Sequence, residues 1–342
     1  MMRIGDRTIG PDAPPYIIAE IGVNHDGAVT RADELIHAAA DAGADAVKFQ
    51  MFEADRLLSR ASTLARYQVD AGEDDPFGML RGLELSIAAL EGRVHVAHAA
   101  GLHAIVTVFS VELVDATARL GWDAFKTASP DLVHRPLLEA LVGTRRPLFV
   151  STGAGSLDEV SRAAGWIGAH PCVFLHCVSA YPTPEDEAAL NGRAAMARVE
   201  PRALGYSDHT ACEDTGALAV ASGTRVLEKH LTHDRAAPGP DHAASLEPDA
   251  FARYVALAHR AWRMVGPVEK RVRSIEADVR AVARQSIVTR HALRAGASIE
   301  ASDVTFKRPG GGFEPHELAT LIGRRLRADV EADARLGAEH LE

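Results

Sequence analysis

Between residue 15 and about residue 266, this 342-residue chain alternates short β-rich runs with helical stretches eight times over. Strands are predicted over residues 16–21, 46–50, 104–109, 125–128, 148–152, 173–178, 204–208 and 226–231, where β-branched and aromatic residues cluster. Helical patterns fill the gaps, among them 31–42, 94–100, 157–167, 216–221 and, closing the series, 248–265. Eight strand–helix units in this length match the order and size of a (β/α)8 TIM barrel. A doubly wound sheet is the competing α/β arrangement, but no glycine-rich dinucleotide turn follows the first strand. The barrel is the better reading.

After residue 266 the pattern changes. Residues 266–280 are charged and without strand signals, which reads as a linker. Beyond it, Ser286-Ile287-Val288-Thr289, a turn at Gly296, Val304-Thr305-Phe306-Lys307 and a helix over 318–323 suggest a small β-rich module. The resulting division is 1–268 barrel, 269–283 linker and 284–342 small domain. About 60 residues give such a module little core of its own, so it is expected to dock on another surface. Residues 51–83, after the second strand, form a connection too long to be bare, and carry Arg56, Arg60, Arg66, Tyr67 and Glu73-Asp74-Asp75. Such an excursion over a barrel mouth is either a lid or a solvated detour with a short helix.

Charge narrows the partners. Lys plus Arg number 37 against 47 Asp plus Glu, a formal net charge of -10. That field disfavours nucleic acid and anionic membrane, so an anionic substrate needs a local cationic pocket. No apolar run approaches a membrane span and no signal-peptide core opens the chain. The three cysteines, Cys172, Cys177 and Cys212, are not spaced as a metal knuckle and read as reduced thiols of a cytoplasmic protein.

In a TIM barrel, polar side chains at the C-terminal strand ends face the substrate. Here those positions carry Glu20, Lys48, Gln50, Thr107, Lys126, Ser129, Ser151, Ser179, Tyr181, Ser207, His209, Glu228 and His230. Two lysines among several hydroxyls on one face have the composition of a phosphate site without a P-loop. His209 and His230 stand about 20 residues apart, on the seventh and eighth strands, where neighbouring strands end side by side. Two imidazoles so placed can share one divalent cation and leave positions open for substrate, with the adjoining Asp208 and Glu228 as tuning groups. His233 and His242 are weaker candidates, and His37, His98 and His259 fall within predicted helices. Asp241, in the rigid Pro238-Gly239-Pro240-Asp241 turn, either staples a loop or accepts substrate hydroxyls.

At these residues the chain resembles the sialic acid synthase family. The matching runs are Ala-Glu-Ile-Gly-Val-Asn-His-Asp-Gly (19–27), Val-Lys-Phe-Gln (47–50), Ser-Thr-Gly (151–153), Leu-His-Cys (175–177) and Tyr-Pro-Thr-Pro (181–184). Gly-Tyr-Ser-Asp-His-Thr (205–210), Glu-Lys-His (228–230), Pro-Gly-Pro-Asp-His (238–242) and Lys-Arg-Pro-Gly (307–310) complete them, in the family's order. The resemblance spans essentially the whole chain. It implies a transferase that joins phosphoenolpyruvate to an N-acylated mannosamine-type sugar, giving a nonulosonic acid and phosphate. It also implies an antifreeze-like (SAF) C-terminal domain that caps the partner's barrel in a domain-swapped homodimer.

By the same resemblance, His209 and His230 hold manganese or magnesium. Lys48, Thr107, Lys126, Ser129, Ser151, Ser179 and Ser207 hold phosphoenolpyruvate. Gln50, Tyr181, Asp241 and, from the cap, Arg308 contact the sugar. Glu20 and Glu228, with Lys48, are the expected catalytic groups. The chain departs from the family's usual pattern at Ser129-Pro130-Asp131, at Thr107-Val108-Phe109 and at Ser179, all bordering the pocket. The first-strand run favours N-acetylneuraminate- or legionaminate-type synthases over pseudaminate-type ones. Condensation with a different aldose, or sugar-phosphate binding without catalysis, are the alternatives.

Overall fold

After a short antiparallel hairpin, β1 (Met2–Ile4) with β2 (Arg7–Ile9), eight parallel strands close into a barrel in this computed structural model, which describes residues 1–342. They are β3 (Tyr16–Glu20), β4 (Ala46–Met51), β5 (His103–Val108), β6 (Ala124–Thr127), β7 (Leu148–Ser151), β8 (Cys172–Cys177), β9 (Leu204–Asp208) and β10 (Val226–His230). Each pairs with the next, and β10 returns to β3. The strands are buried almost throughout, because helices cover their outer face and side chains fill the inside. That is why they read as near-continuous apolar runs.

The two-residue strand period divides the interior into layers. Tyr16, Ile18, Ala46, Ile105, Ala124, Phe149 and Val226 fill the lower interior, together with Met2, Ile4 and Ile9 of the hairpin. Two positions further along the same strands come Glu20, Lys48, Thr107, Lys126, Ser151 and Glu228. An apolar plug therefore lies under a charged layer. The outward residues form a second core with the helices, including α1 (Val29–Asp41).

The excursion after β4 holds three short helices, α2 (Ala54–Leu57), α3 (Arg66–Asp70) and α4 (Pro76–Leu83), before α5 (Ile87–Ala99). Asp75 caps α4 through the Phe77 amide, and Pro76 takes the first turn, where no amide donor is needed. Three helices without a clear sequence signal follow: α6 (Val111–Thr117), α7 (Arg135–Gly143) and α9 (Gly192–Met196). They are too short for a sustained 3.6-residue pattern. Between the last two lies α8 (Leu157–Ile167), which starts at a Ser156–Glu159 capping box. The barrel closes with α10 (Thr215–Ala221) and α11 (Pro248–Val265), whose end is marked by Gly266 at φ 62°.

The chain divides into two compact units, Met1–Pro267 and Val268–Glu342. The charged stretch expected as a bare linker carries α12 (Ala277–Ala283), and its residues belong to the second unit. Beyond it, β11 (Ser286–Thr289) pairs antiparallel with β12 (Val304–Lys307), and α13 (Leu318–Leu321) follows. The expectation of little core is corrected. Ile287, Leu293, Ile299, Val304, Leu321, Leu326, Val330, Leu336 and Leu341 form a buried cluster within this unit. Outside β11, β12 and α13 its apolar residues are scattered singly through loops, where periodicity does not reveal them.

Candidate active site

At the C-terminal ends of the strands the barrel opens into a cavity of about 530 Å³. Glu20, Lys48, Gln50, Thr107, Lys126, Ser129, Ser151, Ser179, Tyr181, Ser207, His209, Glu228, His230 and Asp241 all line it. The barrel candidates thus share one space. Arg308 lies in the C-terminal unit, just after β12.

The floor is a set of buried, opposed charges. Lys48 pairs with Glu20 and donates to Thr107 Oγ1 at 2.9 Å. Lys126 Nζ lies 3.3 Å from Glu228 Oε1, which also accepts from Ser207 Oγ at 2.9 Å. Gln50 Nε2 donates to Glu20 at 2.9 Å and to the Gly22 carbonyl at 3.0 Å. Gly22 has to be glycine, since a Cβ there would come within 2.8 Å of the Gln50 side chain and amide.

The environment separates the two carboxylates. Burial raises Glu20 to about 7, against the pull of Lys48 and with the repulsion of Glu228. Burial also opposes charge on Glu228, but Lys126, Lys48 and the Ser207 hydroxyl hold it below the ordinary glutamate value. Near neutral pH Glu228 is therefore ionised, while Glu20 is poised to gain or lose a proton.

The hydroxyls meet around Gly153. An added Cβ there would lie 2.2 Å from Ser179 Oγ, 2.7 Å from Ser129 Oγ and 2.9 Å from Cys177 Sγ. The Gly153 amide itself donates to Ser129 Oγ at 3.2 Å. The glycine of Ser-Thr-Gly is what lets these groups converge.

His209 and His230 face each other with ring centroids 5.4 Å apart. His209 Nδ1 donates to the Val178 carbonyl at 2.8 Å, which leaves Nε2 as the lone-pair nitrogen, 3.5 Å from the Ser207 hydroxyl. His230 Nδ1 is buried without a hydrogen bond, 3.6 Å from Asp241 Oδ2. Burial, His209 and three lysines, Lys48, Lys229 and Lys126, push His230 well below the usual imidazole range, so it is neutral. Two imidazoles, each with a nitrogen available as its lone-pair form, fit a divalent cation. No group of three or more His, Cys, Asp or Glu side chains is arranged to hold a metal, so any such site keeps open positions.

Sequence reasoning misplaced some neighbours. Asp208 does not tune the histidines: it is one strand position out of phase, pairs with Lys229 at 3.2 Å and bonds to Thr210. His242 is tied to Asp26 and Thr232, and His233 to Arg31, all outside the cavity. That Cys177, read only as a reduced thiol, lies 3.7 Å from His209 Nδ1 went unforeseen. So did the outer wall built by Phe52, Leu57, Leu58, Met79, Leu80 and Leu83. From the excursion, Tyr67 packs on Tyr181 at 5.0 Å, and Tyr181 on His209 at 4.1 Å. The excursion therefore walls the cavity.

Comparison with known proteins adds to this geometry. The NeuB family pattern matches residues 35–270, and the SAF domain pattern matches residues 284–342. Over 347 residues the chain is 35% identical to N,N'-diacetyllegionaminic acid synthase of Legionella pneumophila, covering 99% of this chain and 98% of that protein. It is 29% identical over 333 residues to N-acetylneuraminate-9-phosphate synthase of Homo sapiens, covering 96% and 92%. Among solved structures, the N-acetylneuraminic acid synthetase of Leptospira borgpetersenii in complex with citrate superposes with a TM-score of 0.75 at 28% identity, covering 81% of this chain and 94% of that one.

Proposed function

This chain belongs to the NeuB family, and on that premise we propose that it condenses phosphoenolpyruvate with an open-chain, N-acylated mannosamine-type sugar, giving a sialic acid-like nonulosonic acid and phosphate. It is an enzyme of the phosphoenolpyruvate-dependent, carbon–carbon bond-forming transferase type. One observation carries the reading. A floor of two lysines, two carboxylates and a ring of hydroxyls shares a single cavity with two imidazoles that each offer a lone-pair nitrogen.

The residues divide the work by charge. Lys48 and Lys126 supply fixed positive charge for the phosphate and carboxylate of phosphoenolpyruvate, and Thr107, Ser129, Ser151, Ser179 and Ser207 supply orientable donors. Holding the enol phosphate in this way presents its methylene carbon to the sugar aldehyde, a positioning effect. Gln50, Tyr181 and Asp241 border the space left for the sugar. His209 and His230 would hold manganese or magnesium, which when bound supplies a Lewis acid for the aldehyde oxygen.

Carbon–carbon bond formation uses the enol π electrons and leaves positive charge at the phosphate-bearing carbon. Ionised Glu228, paired with Lys126, stabilises that charge. A water then adds to this carbon, and Glu20, poised near neutrality, takes its proton. The resulting tetrahedral centre expels phosphate by C–O cleavage, leaving a 2-keto acid. This splits the roles of two carboxylates that the sequence left joined.

We extend the proposal to the assembly. Residues 284–342 cap the barrel of a second subunit in a domain-swapped homodimer, with Arg308 on the sugar's N-acyl group. The exposed apolar residues Val268, Val272 and Ile275, which precede α12, and Val279 and Val282, which lie on it, support a covering partner. The test is phosphate release from phosphoenolpyruvate by chelator-stripped protein given N-acetylmannosamine. Release that requires both the sugar and added manganese is expected. No release with any N-acylated amino sugar would overturn the proposal.

A further inference from the structure

Among the outward-facing residues of the eight barrel strands, Asp208 on β9 and Lys229 on β10 are the only carboxylate, lysine or arginine. Both are fully buried, and Lys229 Nζ lies 3.2 Å from Asp208 Oδ2. Their surroundings are apolar: Ala19, Tyr206, Leu227 and Leu231 belong to the core shared with the helices. Burying an ion pair there is a poor route to stability, since matched apolar groups serve as well or better. Its place in the strand register points to another use.

Asp208 and Lys229 are directly opposed, and they are the last opposed pair of β9 and β10. The next residues are His209 and His230, and there the strands part. The His209 carbonyl accepts from the Thr183 amide at 2.8 Å, whereas the Leu231 amide donates to the Glu20 carbonyl at 2.8 Å, towards β3. Lys229 Nζ reaches past its partner to donate to the Thr210 carbonyl as well. Thr210 in turn donates twice to Asp208 Oδ1, from its amide at 2.9 Å and its hydroxyl at 2.8 Å. The ammonium thus grips the residues on both sides of His209. Tyr254 closes over it, with the ring centroid 5.6 Å from Nζ, and packs so closely on Gly216 that a Cβ there would lie 2.3 Å from the ring.

One step earlier, the inner layer ties itself together, because Ser207 bonds to Glu228. The imidazoles have no such bond between them, and His230 Nδ1 has no hydrogen bond at all. Their spacing is inherited from the ends of the two strands.

We propose that the Asp208–Lys229 pair, with Thr210, is a positioning device that sets the separation of His209 and His230 and hence the affinity for a divalent cation, an inference that rests on the metal assignment made above. The pair touches neither ring and acts through the strands that carry them.

The test removes both charges at nearly constant volume in the full-length protein. Asp208→Asn keeps the acceptor for Thr210, and Lys229→Met keeps the length of the side chain. Manganese binding, followed by electron paramagnetic resonance, should weaken about 10- to 100-fold in the double variant. Its Tm should stay close to that of the wild type, because exchanging a buried ion pair for matched neutral groups is often neutral. Phosphoenolpyruvate binding to metal-free protein, measured by calorimetry, should stay within about twofold, since the floor keeps its own Ser207–Glu228 bond. Lys229→Arg, which retains the charge, should bind manganese more tightly than the double variant. Manganese and phosphoenolpyruvate affinities that fall together, or a lowered Tm with unchanged manganese affinity, would mark the pair as merely structural and overturn the inference. Equal manganese affinity in wild type and double variant sinks the inference alone; wild-type protein that binds no manganese sinks the metal assignment and the inference with it. Should the double variant not fold, Asp208→Asn alone, which leaves Lys229 its bond to Thr210, is judged by the same criteria.

Discussion

Replacing Gly153 by alanine probes the phosphate site with a single methyl group. Gly153 does not adopt the left-handed φ that would exclude alanine, so the backbone accepts the change. The cost is steric. The new carbon would sit 2.2 Å from Ser179 Oγ, 2.7 Å from Ser129 Oγ and 2.9 Å from Cys177 Sγ, all inside normal contact. Rotating one serine relieves one overlap, but three groups must give way together. Overpacking of this kind costs about 1–3 kcal/mol of stability. Turning one hydroxyl away from a bound anion forfeits a charge-assisted hydrogen bond of about 1.5–3 kcal/mol, roughly 10- to 150-fold in affinity. The expected outcome is a KM for phosphoenolpyruvate raised by that factor, with the KM for the sugar little changed. Phosphate release at saturating sugar gives the first quantity, and calorimetric melting gives the stability. Adding Ser179→Ala should restore part of the stability and none of the phosphoenolpyruvate affinity. A variant with wild-type KM and wild-type Tm would refute the claim that these hydroxyls converge on the anion.

The remaining predictions follow from the same geometry. His209→Ala and His230→Ala should each abolish turnover and weaken manganese binding, measured by electron paramagnetic resonance titration, while circular dichroism stays native; activity surviving in either removes the metal assignment. Asp131, raised to about 6 chiefly by burial, binds its proton more tightly folded than unfolded. Its contribution to stability is therefore full at low pH and is lost as pH rises from about 4 to about 6, by roughly 3 kcal/mol before screening. Asp131→Asn should flatten that part of the Tm–pH curve, and an unchanged slope would rule the carboxyl out. Arg308→Ala should chiefly raise the KM for the sugar, and mixing it with His209→Ala protein should restore activity if the cap acts in trans; no recovery after subunit exchange points to capping within one chain. Ile275→Asp, on the exposed apolar stretch preceding α12, should shift the protein towards monomer in light scattering, whereas an unaltered mass would show that the stretch is not an interface.

The barrel was legible because its strands are buried on both faces and write themselves as apolar runs, with polar residues interrupting them only at one end. That interruption located Lys48, Lys126, His209 and His230 in one cavity by counting alone, since a strand end is a fixed place in this fold. Asp208 shows the limit: one residue from His209, it points to the opposite face, and adjacency in sequence misled. The apolar wall was illegible for a different reason. Leu57, Leu80 and Leu83 lie on helices of four to eight residues, where no period can develop, and their partners come from other loops. The C-terminal core hid likewise, one leucine or valine per turn. Nor does composition tell that Glu20 and Glu228 differ, because the difference arises from which lysine stands beside each.

The most direct test of the account is the stoichiometry of the reaction with manganese present. Phosphoenolpyruvate and an N-acylated mannosamine-type sugar should disappear together, and phosphate and a nonulosonic acid, identified by mass spectrometry, should appear in equal amounts. Phosphate released without a sugar adduct, or an adduct that retains the phosphate, would contradict it.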